Sequence, residues 1–183
     1  MSEKKHISNK DIFQLIKKSI DNGESKNQIF ERLSTEYKDS DTIAKLTASF
    51  PDSDLKEKYK SVNQVLFVLL IVTAVLKVIG VLPVIFDMPL VGLIIILIIP
   101  IINIWFAIEV KNTKGSIYRV LGLLAIAGIF RSIGNFDESG IWVLIDVVLL
   151  GIISGLSFYI GKKMFPNYGF SGPKKDSNGK YIL

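Results

Sequence analysis

The sequence predicts an all-α integral membrane protein: a small N-terminal helical cytoplasmic domain attached to a four-helix transmembrane bundle, both termini cytoplasmic. Three observations carry that reading. After residue 60 the chain runs through four apolar stretches, at residues 62–86, 89–108, 117–136 and 141–160. A bilayer core of about 30 Å needs roughly 20 apolar residues in a helix, and each stretch is about that long. Charge is segregated as well. The first 60 residues hold 12 of the 22 basic and 11 of the 17 acidic side chains, so the net +5 divides into +1 and +4. Finally, the connections alternate in sign. Lys56, Lys58 and Lys60 precede the first stretch, Lys111 and Lys114 lie between the second and third with Arg119 at the start of the third, and Lys162, Lys163, Lys174 and Lys175 follow the fourth. The other two connections carry Asp87, and Asp137 with Glu138. Basic residues near a span prefer the cytoplasmic side, which gives four spans with both ends inside.

Residues 1–60 read as short amphipathic helices with a linker helix. Ile12, Phe13, Ile16 and Ile20 recur at helical spacing between Ser8 and a left-handed stop at Asn22-Gly23. Ser25 and Gln28 have the spacing of a capping box, ahead of an apolar stripe of Ile29, Phe30, Leu33 and Tyr37. Ile43, Leu46, Thr47 and Phe50 form a third helix that Pro51 stops. Asp52 and Asp54 are placed to cap a fourth, running through Leu55 and Tyr59 into the first span. Two short helices joined at a glycine resemble a helix-turn-helix only in layout. The second exposes Lys26, Glu31, Arg32 and Glu36 and has no run of basic or amide residues for base edges, so no nucleic-acid partner is expected. A domain this small has little core and gains from leaning on another surface, whether a protein partner or the bundle itself.

Polar residues inside the spans are the candidate site. Lys77 on the first span, Arg131 on the third and Asp146 on the fourth fall at similar depth in the outer half of the membrane. Charges there face protein or water, and a Lys77–Asp146 or Arg131–Asp146 pair would lower their cost. Structurally, the two cations snorkel to the outer headgroups and Asp146 serves the bundle. Functionally, the three line a cavity for an ion, proton or small polar solute, or recognise another membrane protein. Arg131 also shortens the charge-free part of the third span, which leaves a dipping segment as the alternative to a full crossing.

Pro100 and Asn103 in the second span suggest a kink, with the amide serving freed backbone groups. Gly80 and Pro83 interrupt the first span in a comparable way. Gly151, Ser154 and Gly155 on the fourth match the small-xxx-small pattern of closely packed helices, and admit a homo-oligomer. Residues 164–183, rich in Gly, Ser, Pro and Lys, read as a flexible cytoplasmic tail. Its last residues, Tyr181-Ile182-Leu183, have the hydrophobic character that a strand-adding groove accepts, or are an ordinary end.

No catalytic, cofactor or metal site is expected. There is no cysteine, and the single histidine is His6. No phosphate-binding loop, dinucleotide motif or zinc-protease motif occurs. The expectation is a non-enzymatic accessory or regulatory protein of a prokaryotic cytoplasmic membrane, embedded in the lipid bilayer. It docks a protein partner through residues 1–60. The alternative is a small channel or transporter subunit that uses Lys77, Arg131 and Asp146.

Overall fold

The computed structural model describes residues 7–87, 89–134, 140–170 and 172–183, with side chains except those of 81, 83–87, 89, 91–93, 95–97 and 99. His6, residues 135–136 of the third stretch, Asp137, Glu138 and the side chains of Pro83 and Asp87 lie outside the described residues. The described residues form eight helices: α1 (Asn9–Asp21), α2 (Lys26–Glu36), α3 (Ser40–Ala48), α4 (Ser53–Lys58), α5 (Lys60–Asp87), α6 (Pro89–Lys111), α7 (Gly115–Gly134) and α8 (Ile141–Met164). The fold is all-helical, and no strand forms among the described residues.

Local chemistry sets the first three helices. Ser8 Oγ accepts from the Asp11 N–H at 3.2 Å to start α1. Gly23, at φ 83°, ends it: its N–H donates to Ile20 O and that of Glu24 to Ser19 O, the two bonds of a Schellman close. Both halves of the Ser25–Gln28 capping box form at the start of α2. Asp39 opens α3 by accepting from the Thr42 N–H at 3.0 Å and the Thr42 hydroxyl at 2.7 Å. These bonds hold the Asp39 carboxyl below its ordinary value of 3.8, the Thr42 backbone contributing most. Ile12, Ile16, Ile29, Leu33 and Ile43 then meet in one fully buried cluster.

The expected continuous helix into the first span is corrected. Tyr59 leaves helical geometry at φ −102°, ψ 9°, and separates α4 from α5. Asp52 makes no side-chain cap and pairs with Lys26 at 3.1 Å instead. The break lets α4 turn onto α8, with the Tyr59 ring edge-on to Tyr159 at 6.0 Å.

The long helices pack as two pairs, α5 along α6 and α7 along α8, joined chiefly where α5 meets α8. Leu66, Leu70, Phe106, Val110, Tyr118, Leu121, Ile153 and Met164 belong to their shared core. Among the described residues three stretches are long and apolar enough to cross a membrane: Lys60–Gly80, Gly115–Gly134 and Ile141–Met164. Twenty helical residues rise about 30 Å, which matches the hydrocarbon core. Only 28% of each most apolar window is buried inside the protein. Val68, Val72, Leu123, Leu124, Val148 and Ile152 point outward, where lipid would meet them at no cost and water would not. Helix α6 runs unbroken through Pro100 beside α5.

The C-terminal segment also departs from expectation. Rather than trailing free, it folds back after α8. Lys174 N donates to Asn167 O and Ile182 N to Lys174 O, both at 2.8 Å, while the Asp176 carboxylate accepts from the Asn178 and Lys180 N–H groups. Isolated bridges join Tyr168 to Pro173 and Lys175 to Tyr181.

Candidate functional site at the junction of N-terminal helices and bundle

The intramembrane charges do not converge. Arg131 is exposed, Lys77 and Asp146 are half-buried, and no ion pair joins any two of them among the described residues. Asp146 instead accepts from the Ser132 hydroxyl at 2.5 Å, across the α7–α8 contact. Ser132 follows Arg131 directly. The helix phase therefore turns the neutral neighbour toward Asp146 and the cation outward. The expected Arg131–Asp146 and Lys77–Asp146 pairs are thus replaced by a neutral donor.

Asn103 is half-buried, with no side-chain hydrogen bond to a described residue, and Pro100 stays within helix. The small-residue motif divides. Ser154 is buried and donates to Gly122 O at 3.2 Å, whereas Gly151 and Gly155 are exposed, with no described atom within 4 Å of a Cβ placed on them. Close approach between α7 and α8 comes from other glycines. A Cβ on Gly122 would meet the Phe158 ring at 2.8 Å, and one on Gly161 would meet Tyr118 Cβ at 3.2 Å.

The polar interactions gather at the other end of the bundle, where α6 turns into α7. The Asn63 amide donates to Val110 O at 2.9 Å, and the Tyr118 hydroxyl donates to Asn63 Oδ1 at 2.8 Å. Val110 O also accepts from the Thr113 N–H at 3.0 Å. Three helices, α5, α6 and α7, are tied at one backbone carbonyl. Thr113 is buried with φ 53°, an unusual geometry for a β-branched residue. Lys114 N donates to Glu109 O at 3.4 Å, and the Lys114 ammonium pairs with the Glu109 carboxylate at 2.6 Å, which partners a buried oxygen.

This turn meets the N-terminal helices. Gly115 N donates to Ser49 O at 2.8 Å, and Lys114 Nζ lies 5.4 Å from the Phe13 ring centre. Phe13 in turn packs on Phe50 at 4.9 Å. A Cβ on Gly115 would come within 2.7 Å of the buried Phe165 ring, so the approach requires glycine there. The surface that residues 1–60 were expected to need is in part supplied by the chain itself.

The C-terminal segment completes the connection. Arg119 donates to Tyr168 O and lies over the Phe170 ring at 5.2 Å. Burial pushes the Tyr168 hydroxyl upward, opposed by the nearby Arg119 charge. Further on, the Tyr181 hydroxyl donates to the Asp41 carboxylate, its ring meets Phe30 edge-on at 5.7 Å, and Lys175 Nζ lies 4.6 Å from the ring centre. The Tyr181 bond and Lys45, 2.9 Å away, hold Asp41 below its ordinary 3.8, and Asp41 in turn raises Lys45. Leu183 lines a cleft with Ile20, Lys26, Asn27, Pro51 and Asp52.

Among the described residues no group of three His, Asp or Glu side chains is placed to hold a metal. What the junction can do is mechanical: it couples the α1–α3 layer to the bundle at two places. Sequence reasoning missed Asn63, Thr113, Tyr118 and Ser132. An amide one turn into an apolar helix and a tyrosine in the first turn of the next were signals for two of them. Compared with known protein families, curated proteins and solved structures, the chain matches none.

Proposed function

We propose that the chain is a non-enzymatic accessory or regulatory membrane protein that spans the bilayer four times, with both termini in the cytoplasm of a prokaryote. Its N-terminal helices would dock a protein partner. The fourth crossing is α6, whose 23 residues lie against α5 and which returns the chain to the basic side. The observation that favours docking over transport is the scatter of the intramembrane charges, set against the tight polar junction between the α1–α3 layer and the bundle. A solute site needs convergent polar groups in a water-filled cavity, and among the described residues Asp146 hydrogen-bonds Ser132 alone. A device that reports from the membrane to a soluble partner needs the two parts fastened together, as they are through Gly115, Ser49, Tyr181 and Asp41.

The test is cross-linked co-purification from native membranes, comparing the full chain with one carrying charge reversals at exposed Lys10, Lys17 and Lys18 of α1 and Glu31 and Glu36 of α2. Those residues lie outside the junction, so folding is expected to survive. A partner lost with the reversals, and with deletion of residues 1–55, supports docking. A correctly inserted protein with no partner dependent on these helices would overturn it. The transport alternative, a channel or transporter subunit using Lys77, Arg131 and Asp146, predicts that Asp146→Asn changes flux or its pH dependence.

A further inference from the structure

The turn at Tyr59 brings two sets of lysines to one edge of the bundle. Helix α4 packs on α8 near the end where α8 leaves its apolar stretch, and the ring pair Tyr59–Tyr159 marks the contact. Lys58 Nζ lies 5.8 Å from the Tyr59 ring centre. On α8, Lys162 and Lys163 stand three and four residues beyond Tyr159, so all three share a face one turn apart. Lys58, Lys162 and Lys163 are exposed, as is Lys56 on α4, and none of the four has a carboxylate partner among the described residues. The nearby acidic groups are engaged or set apart. Glu57 holds Lys60 at 3.1 Å, Asp52 holds Lys26, and Asp54 sits in the first turn of α4, where it complements the helix dipole.

We propose that this edge binds the headgroup of an anionic glycerophospholipid, with its phosphate among Lys58, Lys162 and Lys163, and its glycerol and upper acyl chains against Tyr59 and Tyr159. The inference requires that α5 and α8 cross the membrane and is independent of the docking partner. Three features fit this occupant. Tyrosines with exposed faces suit the level where headgroups meet acyl chains, and Tyr159 is 45% exposed. Lysines one turn farther out reach the phosphate plane on flexible stems. Unpaired cations beside an apolar helix complement a ligand that is anionic at one end and apolar at the other, and basic pockets between spanning helices recognise such lipids.

The test is native mass spectrometry of the full-length protein in mixed micelles with dioleoyl phosphatidylglycerol and dioleoyl phosphatidylcholine, beside thermal unfolding in each lipid. The native chain is expected to retain the anionic lipid over the zwitterionic one by about tenfold or more, since each lysine near an anionic surface contributes about fivefold. Lys58→Gln with Lys162→Gln and Lys163→Gln is expected to reduce that preference to about twofold or less. Lys10→Gln with Lys17→Gln and Lys18→Gln removes equal charge from α1 and is expected to leave the preference unchanged. Lys163→Glu alone gives a second reading should the triple variant fold poorly. Equal retention of both lipids, preference surviving in the α8 variants, or equal loss in the α1 control would overturn the site. So would inorganic phosphate that reproduces the stabilisation without lipid.

Discussion

Two helix ends in this molecule close with the same backbone geometry and different residues. At the end of α1, Gly23 takes the left-handed position at φ 83°; at the end of α6, Thr113 takes it at φ 53°. Both make the paired Schellman bonds, Gly23 N to Ile20 O with Glu24 N to Ser19 O, and Thr113 N to Val110 O with Lys114 N to Glu109 O. Glycine adopts that conformation freely, whereas a Cβ makes it cost about 1–2 kcal/mol. The first end is thus specified locally. The second is held by its surroundings: Asn63 shares the Val110 carbonyl, Tyr118 fastens Asn63, and Lys114 pairs with Glu109. Strained backbone persists where the surrounding structure over-determines it.

The sharpest way to break that contrast is to remove the support. Asn63→Ala removes the amide from both the Tyr118 hydroxyl and the Val110 carbonyl in a buried site, leaving those two only their longer mutual contact at 3.3 Å. A cost of about 2–4 kcal/mol is expected, from two lost bonds and their desolvation. Tyr118→Phe removes the one hydroxyl shared by Asn63 Oδ1 and Val110 O, of which Val110 O keeps the Asn63 amide, for about 1–2 kcal/mol. Equilibrium unfolding in detergent checks both. An Asn63→Ala protein as stable as the parent would show that Thr113 is not held from α5.

Exchanging the residues at the two ends sharpens the contrast further. Gly23→Thr is expected to cost about 1–2 kcal/mol, because nothing around an open surface turn compensates the left-handed threonine. Thr113→Gly relieves the same strain while losing a buried methyl and hydroxyl, so it is expected to change stability by less than about 1 kcal/mol. The asymmetry itself is the prediction. Equal and large losses at both ends would mean that Thr113 matters for its side-chain packing rather than for its backbone.

The same division explains what could be read in advance. Ser25 with Gln28, Gly23 and the apolar stripe of α1 were legible because their partners lie within four residues. The lengths of α5, α7 and α8 were legible because apolar runs of about twenty residues mark them. The faces of those helices were not. A helix that is apolar nearly all round carries no periodic mark of its inner side. Ser132 rather than Arg131 therefore meets Asp146, and Gly122 rather than Gly151 forms a close contact, with no warning from spacing. The break at Tyr59 and the return of the C-terminal segment to α2 and α3 involve residues a hundred or more positions apart, such as Tyr59 with Tyr159 and Tyr181 with Asp41.

Acid should loosen that return while sparing the buried junction. Asp41 is held below its ordinary 3.8 by the Tyr181 hydroxyl first and Lys45 next. Its folded pKa is depressed, so its stabilising contribution is complete above the unfolded value and is lost as pH falls through the folded one. Hydrogen exchange at Ile182 and neighbouring amides is expected to quicken below about pH 4, with the Asn63–Tyr118 contacts unaffected. Asp41→Asn should remove the pH step, leaving exchange at the loosened rate at all values. The effect is small because both groups are solvent-accessible.

The smallest expected effect separates lipid from a second copy on the outer face of α8. A Cβ on Gly151 or Gly155 meets no described atom within 4 Å, and in a helix interior alanine is favoured over glycine by up to about 1 kcal/mol. In a monomer with lipid on that face, Gly151→Ala and Gly155→Ala should therefore be neutral or slightly stabilising. Gly122→Ala, whose Cβ would press on Phe158 at 2.8 Å, should destabilise α7 against α8 by about 1–3 kcal/mol. If helices of two copies instead met at Gly151 and Gly155, leucine there would hold the backbones apart and shift the protein toward monomer in sedimentation at fixed detergent concentration. Unchanged sedimentation, with intact unfolding, would assign that face to lipid and leave close packing in α8 to Ser154 and Gly161, on the side turned toward α7.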